Sequence, residues 1–185
     1  MSPKYLFPLF SLTVLLFTAC SNEHEQRVDG QHFQGQDCLH CHNVDLKKSS
    51  HLSFGATLFQ EEPNTDNYDK LSTYCNIPMF LKLVKRDGTT VFDSRATNDV
   101  SDSGFNGYGN VFGLLQSKTI PTGEFLINII NREGDVILDS GLEHQFSTNY
   151  NPENPDDTLD RYSCNACHRI NGAQTPLTTS NTCRK

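Results

Sequence analysis

The sequence predicts a mainly β protein, a single antiparallel β-sandwich with a cysteine- and histidine-bearing segment at either end. Three observations predict it. Short runs rich in β-branched and aromatic residues alternate apolar with polar between residues 52 and 143, the period of strands with one buried face. Turn formers punctuate those runs, as in Arg86-Asp87-Gly88 and Arg132-Glu133-Gly134, in the manner of hairpins. Beyond residue 20, no stretch carries helical periodicity over about ten residues or more.

The first element, residues 1–19, reads as a targeting segment. Lys4 precedes an apolar run, Tyr5 to Phe17, that is too short to span a bilayer comfortably. The run ends in Phe17-Thr18-Ala19-Cys20, which resembles a bacterial lipoprotein signal cleaved before Cys20, with acyl chains carried on that thiol. An ordinary secretory signal is the alternative. Several acyl chains together give stable membrane anchoring, and Ser21 after the cysteine points to the outer membrane, facing the periplasm or the cell surface. Residues 20–36 are polar and contain glycine, the composition of a tether; His24 and His32 lie in it.

Residues 37–51 form the first cysteine-histidine segment. Cys38-Leu39-His40-Cys41-His42 recurs as Cys164-Asn165-Ala166-Cys167-His168 in the last segment, residues 144–185. Both read C-x-x-C-H, the attachment spacing for c-type haem. Two thiols add across the two vinyl groups of one porphyrin, and the histidine after the second thiol becomes the proximal iron ligand. A disulfide or a zinc site is the alternative for either motif. Two copies on one exported chain favour two haem c groups.

Between the motifs the strands follow in order. Leu52 to Phe59 is the first, and Glu61 to Lys70 is a polar loop. Ile77 to Lys85 and Thr89 to Ser94 form a hairpin. Thr97 to Asn110 is a Gly/Asn/Asp-rich loop, and Val111 to Leu115 is a further strand. Glu124 to Asn131 and Asp135 to Ser140 form a second hairpin, and Gly141 to His144 closes the series. The two hairpins resemble one another, Phe80-Leu81…Asp87-Gly88 lining up with Phe125-Leu126…Glu133-Gly134. The middle of the chain, residues 52–143, therefore resembles a small immunoglobulin-like sandwich, or one of the transthyretin-like, carboxypeptidase-regulatory kind. The acidic loops at 98–110 and 151–160 could hold calcium, but neither has EF-hand spacing, and solvated loops are the preferred reading.

Candidates for the sixth iron ligand follow from counting. Met79 is the one methionine left after processing, and its apolar strand makes it a core residue. Histidine remains, and His51 and His144 stand at the two ends of the strand region. The expected pairs are His42 with His51 and His168 with His144; a crossed pairing, His42 with His144 and His168 with His51, stays open. His40 lies between its own motif's thiols and could serve a neighbouring haem, and His32 is an alternative to His51 for the first iron. Of seven cysteines, Cys20 takes lipid and four take haem, which leaves Cys75 and Cys183 to form a disulfide in an oxidising compartment or to remain as two thiols.

The net charge of −7 argues against nucleic acid, which needs basic patches, and gives no polybasic route to anionic lipid. On His51 to Phe59, on His144-Gln145, and on Ser163 to His168, the chain resembles a small dihaem c-type cytochrome lipoprotein of the multihaem cytochrome kind. The resemblance covers most of the mature chain, though only the two motifs are specific. It implies one-electron transfer in the bacterial envelope with low-potential, bis-histidine haems, other cytochromes or redox proteins as partners, and no catalysis. The alternatives are a dihaem reductase or peroxidase-like enzyme with one open haem, a self-associating subunit of a cytochrome filament, and a sandwich adhesin whose haems are incidental.

Overall fold

A computed structural model describes residues 35–64, 66, 73–96, 109–114, 120–146, 162–181 and 183. The targeting segment, Cys20, His24, His32 and nearly all of both acidic loops lie outside the described residues.

The described body is mainly β, with two antiparallel sheets. Strands β1 (Leu52–Thr57) and β4 (Asn110–Leu114) form one. Strands β2 (Phe80–Val84), β3 (Thr90–Asp93), β5 (Gly123–Ile130) and β6 (Val136–Phe146) form the other, in the order β3-β2-β5-β6. The helical elements among the described residues are short turns: α1 (Cys38–His40), a π-type turn at Cys41–Asp45, two 3₁₀ turns, and α2 (Cys164–Cys167).

The two similar hairpins become neighbours in one sheet. Their first strands pair antiparallel, Phe80 opposite Ile130 and Val84 opposite Leu126. Each turn is locked by a side chain that substitutes for backbone. Asp87 accepts from the Thr89 N–H at 2.9 Å, and the Asn131 amide oxygen accepts from both Gly134 and Asp135 N–H at 2.8 Å, as Asx residues do in turns.

One apolar cluster joins the sheets. It takes Leu52 and Phe54 from β1, Val111 from β4, Leu81 and Leu83 from β2, Phe92 from β3, Phe125 and Ile129 from β5, and Ile137 and Phe146 from β6. Phe54 meets Phe92 edge-on across it, at 6.3 Å and 85°, a favourable aromatic geometry. Met79 is fully buried.

β6 differs from expectation. The sequence places the end of the sandwich at residue 143, with His144 beyond the last strand. In the structure β6 runs on to Phe146, and His144 sits inside it, opposite Phe125. The strand survives its glycine because the register shifts there: Asn128 faces Asp139 and Leu126 faces Glu143. Gly141 absorbs the irregularity at φ +64°, a left-handed conformation that glycine adopts without strain.

The polar C-terminal stretch is also more ordered than its composition suggests. The Phe59 N–H donates to Leu177 and the Thr179 N–H to Phe59, and Thr179 and Asn181 side chains both donate to the Ile137 carbonyl. Cys75 and Cys183 are joined in a disulfide, with Cα atoms 5.0 Å apart and a sequence separation of 108.

A loop of that length is costly to close in the unfolded chain. Replacing both Cys75 and Cys183 by serine should lower stability by about 4 kcal/mol and the thermal midpoint by roughly 10 °C. Thermal unfolding followed by circular dichroism checks this.

Candidate functional site

The site is assembled on β1, whose six residues are all buried. In a two-stranded sheet, burial of both faces requires cover on the side away from the core. The two C-x-x-C-H segments supply it. Phe54 and Ala56 are buried, with Phe54 in the core, whereas Gly55 and Thr57 meet the motifs.

The approach is closest at Gly55. A Cβ there would lie 2.7 Å from the Cys38 Cβ and 3.1 Å from Leu39 Cδ1. The Gly55 N–H donates to the Tyr162 carbonyl at 3.0 Å, and Gly55 pairs with Ser163 as an isolated parallel bridge. The backbone leading into the second motif thus runs along the strand against which the first motif packs.

Polar side chains fix both segments. Asp37 caps α1 by accepting from the His40 N–H at 3.3 Å and also accepts from the Ser163 hydroxyl. Asn43 is buried and clamps the backbone of Leu52, donating to its carbonyl at 2.9 Å and accepting from its N–H at 2.8 Å. Asn165 is fully buried. Its amide donates to the Gln36 carbonyl at 2.8 Å and to Thr57 Oγ1 at 2.9 Å, and its oxygen accepts from the Thr57 N–H at 3.0 Å. The same nitrogen lies 3.7 Å from Cys38 Sγ. Thr57 Oγ1 also accepts from Gly35 N–H and donates to Asn110, which uses its full hydrogen-bonding capacity.

Three histidines of the expected ligand set hold one ring nitrogen on a backbone carbonyl. His42 Nδ1 is 2.8 Å from Ser50 O, His168 Nδ1 is 2.9 Å from Thr175 O, and His144 Nδ1 is 3.0 Å from Leu142 O. A carbonyl only accepts, so Nδ1 carries the proton and Nε2 keeps its lone pair, the arrangement that orients metal-ligating imidazoles. His144 and His168 stand with ring centroids 6.5 Å apart and planes at 43°. Two imidazoles on opposite faces of one metal, each with a bond of about 2 Å, have centroids roughly 6 Å apart.

His51 is placed differently. It is 6% exposed, and its Nε2, not Nδ1, faces a carbonyl, Leu46 O at 3.3 Å. His40 is exposed.

Cys38, Cys164 and Cys167 are free thiols, so neither motif closes on itself. Burial, chiefly, pushes the Cys38 thiol up to about 12, with Asp37 and Cys164 adding to the effect, and burial likewise pushes Cys164 up to about 12. Both are protonated thiols at neutral pH. Cys41 is disulfide-bonded; that bond and a thioether at Cys41 exclude one another. Among the described residues, no three His, Cys, Asp or Glu side chains converge on a point where they could hold a bare metal ion.

The cysteines and histidines of the site stand out in the sequence; Gly55, Thr57, Asn43, Asp37, Ser163 and Asn165 do not. Asn165 occupies a variable position of the motif, and nothing in the spacing marks it. No family model matches the chain, and no curated protein or solved structure matches it.

Gly55→Ala should push α1 off β1 and cost about 2 kcal/mol, the scale of overpacking a tight contact. Denaturant unfolding and proteolysis within residues 36–50 test it; unchanged stability would mean that the contact yields freely.

Proposed function

We propose that this protein is a dihaem c-type cytochrome of the bacterial envelope, a lipid-anchored one-electron carrier with bis-histidine irons. The observation that carries the reading is the pairing of His168, from the second C-x-x-C-H motif, with His144 at the spacing of two axial ligands. Both rings are already in the tautomer that offers Nε2. The two-sheet body, read as a small sandwich of immunoglobulin or transthyretin type, supplies a rigid frame for these groups.

Haem supplies reversible one-electron chemistry at iron when bound. The chain's own residues do the rest. Cys38 and Cys41, and Cys164 and Cys167, would hold the two groups covalently through their sulfurs. Cys41 must be in thiol form for this, so a reductant of the dithiol class has to open its disulfide first. The carbonyls of Ser50, Thr175 and Leu142 hold ring orientation. Val44 and Leu142, among the most exposed large apolar residues at 50% and 74%, each stand two positions from an expected ligand, His42 and His144. Histidine in place of methionine as the second ligand would favour a low potential and would leave no coordination position for substrate. Anchorage through Cys20 to the outer membrane and exchange with other cytochromes complete the reading. The acidic chain suits a basic partner face.

One observation favours a second reading for the first haem. His51 turns Nε2 toward Leu46 O, so an iron on His42 would lack a ready second imidazole from it. That iron could bind a small ligand, as a reductase or peroxidase requires. Rapid binding of CO to half of the reduced haem would select this reading, and no binding would select the closed carrier.

The purified protein should carry two covalent haems per chain, retained after acid–acetone extraction. His144→Ala should leave both attached but convert one iron from low spin to high or mixed spin, while His40→Ala should leave the spectrum unchanged. A colourless protein would end the proposal, and an unaltered spectrum in His144→Ala would remove His144 from the ligand set.

A further inference from the structure

We infer that Asn165 is a positioning residue that ties the two cysteine-histidine segments into one unit, so that the two haems held there form a coupled pair, not two independent carriers. The inference rests on the dihaem reading and deepens it.

The two motifs stand 126 residues apart in sequence, counted from Cys38 to Cys164, yet three contacts join the segments that carry them. The Asn165 amide donates to Gln36 O, the Ser163 hydroxyl donates to Asp37, and Asn165 Nδ2 approaches the Cys38 sulfur to 3.7 Å. Both segments bear on β1 at adjacent positions, Cys38 on Gly55 and Asn165 on Thr57. Cys38 and Cys164 are each the first thiol of their motif, and each would bond a porphyrin edge. The segments that would carry these bonds are in direct contact, and Asn165 of the second touches the backbone and the sulfur of the first.

The chemistry of Asn165 suits a strut and not a space-filler. It is fully buried, and its amide makes two donor bonds and one acceptor bond, all within 3.0 Å. An apolar residue of similar size would fill the volume but leave the buried Thr57 N–H without its acceptor and remove the bond to the Gln36 carbonyl. A buried unpaired donor is strongly unfavourable, so the contact of the second segment with β1 and with the first segment would loosen. Together with the Ser163–Asp37 bond, this amide fixes how the two segments lie against one another.

The test is electron paramagnetic resonance of the haem-loaded wild-type protein, fully oxidised and poised at half reduction. Coupled irons give an oxidised spectrum that is not the sum of two single-haem low-spin signals, with lost integrated intensity that returns at half reduction. Asn165→Ala and Thr57→Val, with both haems retained, should move the oxidised spectrum toward that sum. Thr57→Ser, which keeps the hydroxyl, should match wild type. An additive wild-type spectrum, or unchanged coupling in both Asn165→Ala and Thr57→Val, overturns the inference while leaving the dihaem reading intact; a protein without haem overturns the dihaem reading itself. Should Asn165→Ala fail to accumulate, the wild-type spectrum and the two Thr57 variants decide the matter.

Discussion

The bonds between the Asn165 amide and Thr57 organise the structure. They lie where the two cysteine-histidine segments meet the sheet. Thr57 belongs to β1, so the site is referenced to a strand and not to a loop. Asn165 belongs to the second motif and also reaches the backbone before the first. The network is closed: Thr57 Oγ1 accepts two hydrogen bonds and donates one. Buried polar networks stabilise a unique arrangement when every member is satisfied and destabilise strongly when one partner is lost, by about 1–3 kcal/mol per orphaned group.

This arrangement explains an unusual strand. A solvated antiparallel sheet normally shows one dry face and one wet one, but β1 is dry on both. Its core-facing residues pack against the second sheet through Phe54 and Phe92. Its other face is small and polar, Gly55 and Thr57, because two segments must come within hydrogen-bonding distance there. A larger residue at 55 would collide with Cys38. The strand is a partition between an apolar core and a polar platform for the cysteines.

The platform is held at a distance as well as locally. The tail runs beside Phe59, donates twice to Ile137, and is covalently closed through Cys75 and Cys183. This tail leaves directly from the second motif, so its attachment also restrains α2 and the turn that gives His168 its carbonyl partner. On the opposite side, the register shift at Gly141 lets β6 continue, and the resumed strand carries His144 to His168. A turn placed there instead would have released His144 into a loop.

Residue types and spacing by themselves determined much of this protein. The alternation between residues 52 and 143 marks strands because burial of one face imposes period two, and the Asp87-Gly88 and Glu133-Gly134 turns mark hairpins because few residues tolerate their backbone. The paired C-x-x-C-H motifs mark the candidate site because two thiols and a histidine recur at one spacing. Other features depended on contacts between positions far apart in the chain, which no local pattern encodes. Only the tertiary structure decided that both hairpins share one sheet, that β6 passes through Gly141, and that the polar tail pairs with Phe59. It alone turned His51 Nε2 toward Leu46 and brought His144 beside His168. Asn165 shows the reason most plainly: an asparagine between two cysteines has no distinguishing period or spacing, and its role exists only once Thr57 and Gln36 have been folded against it.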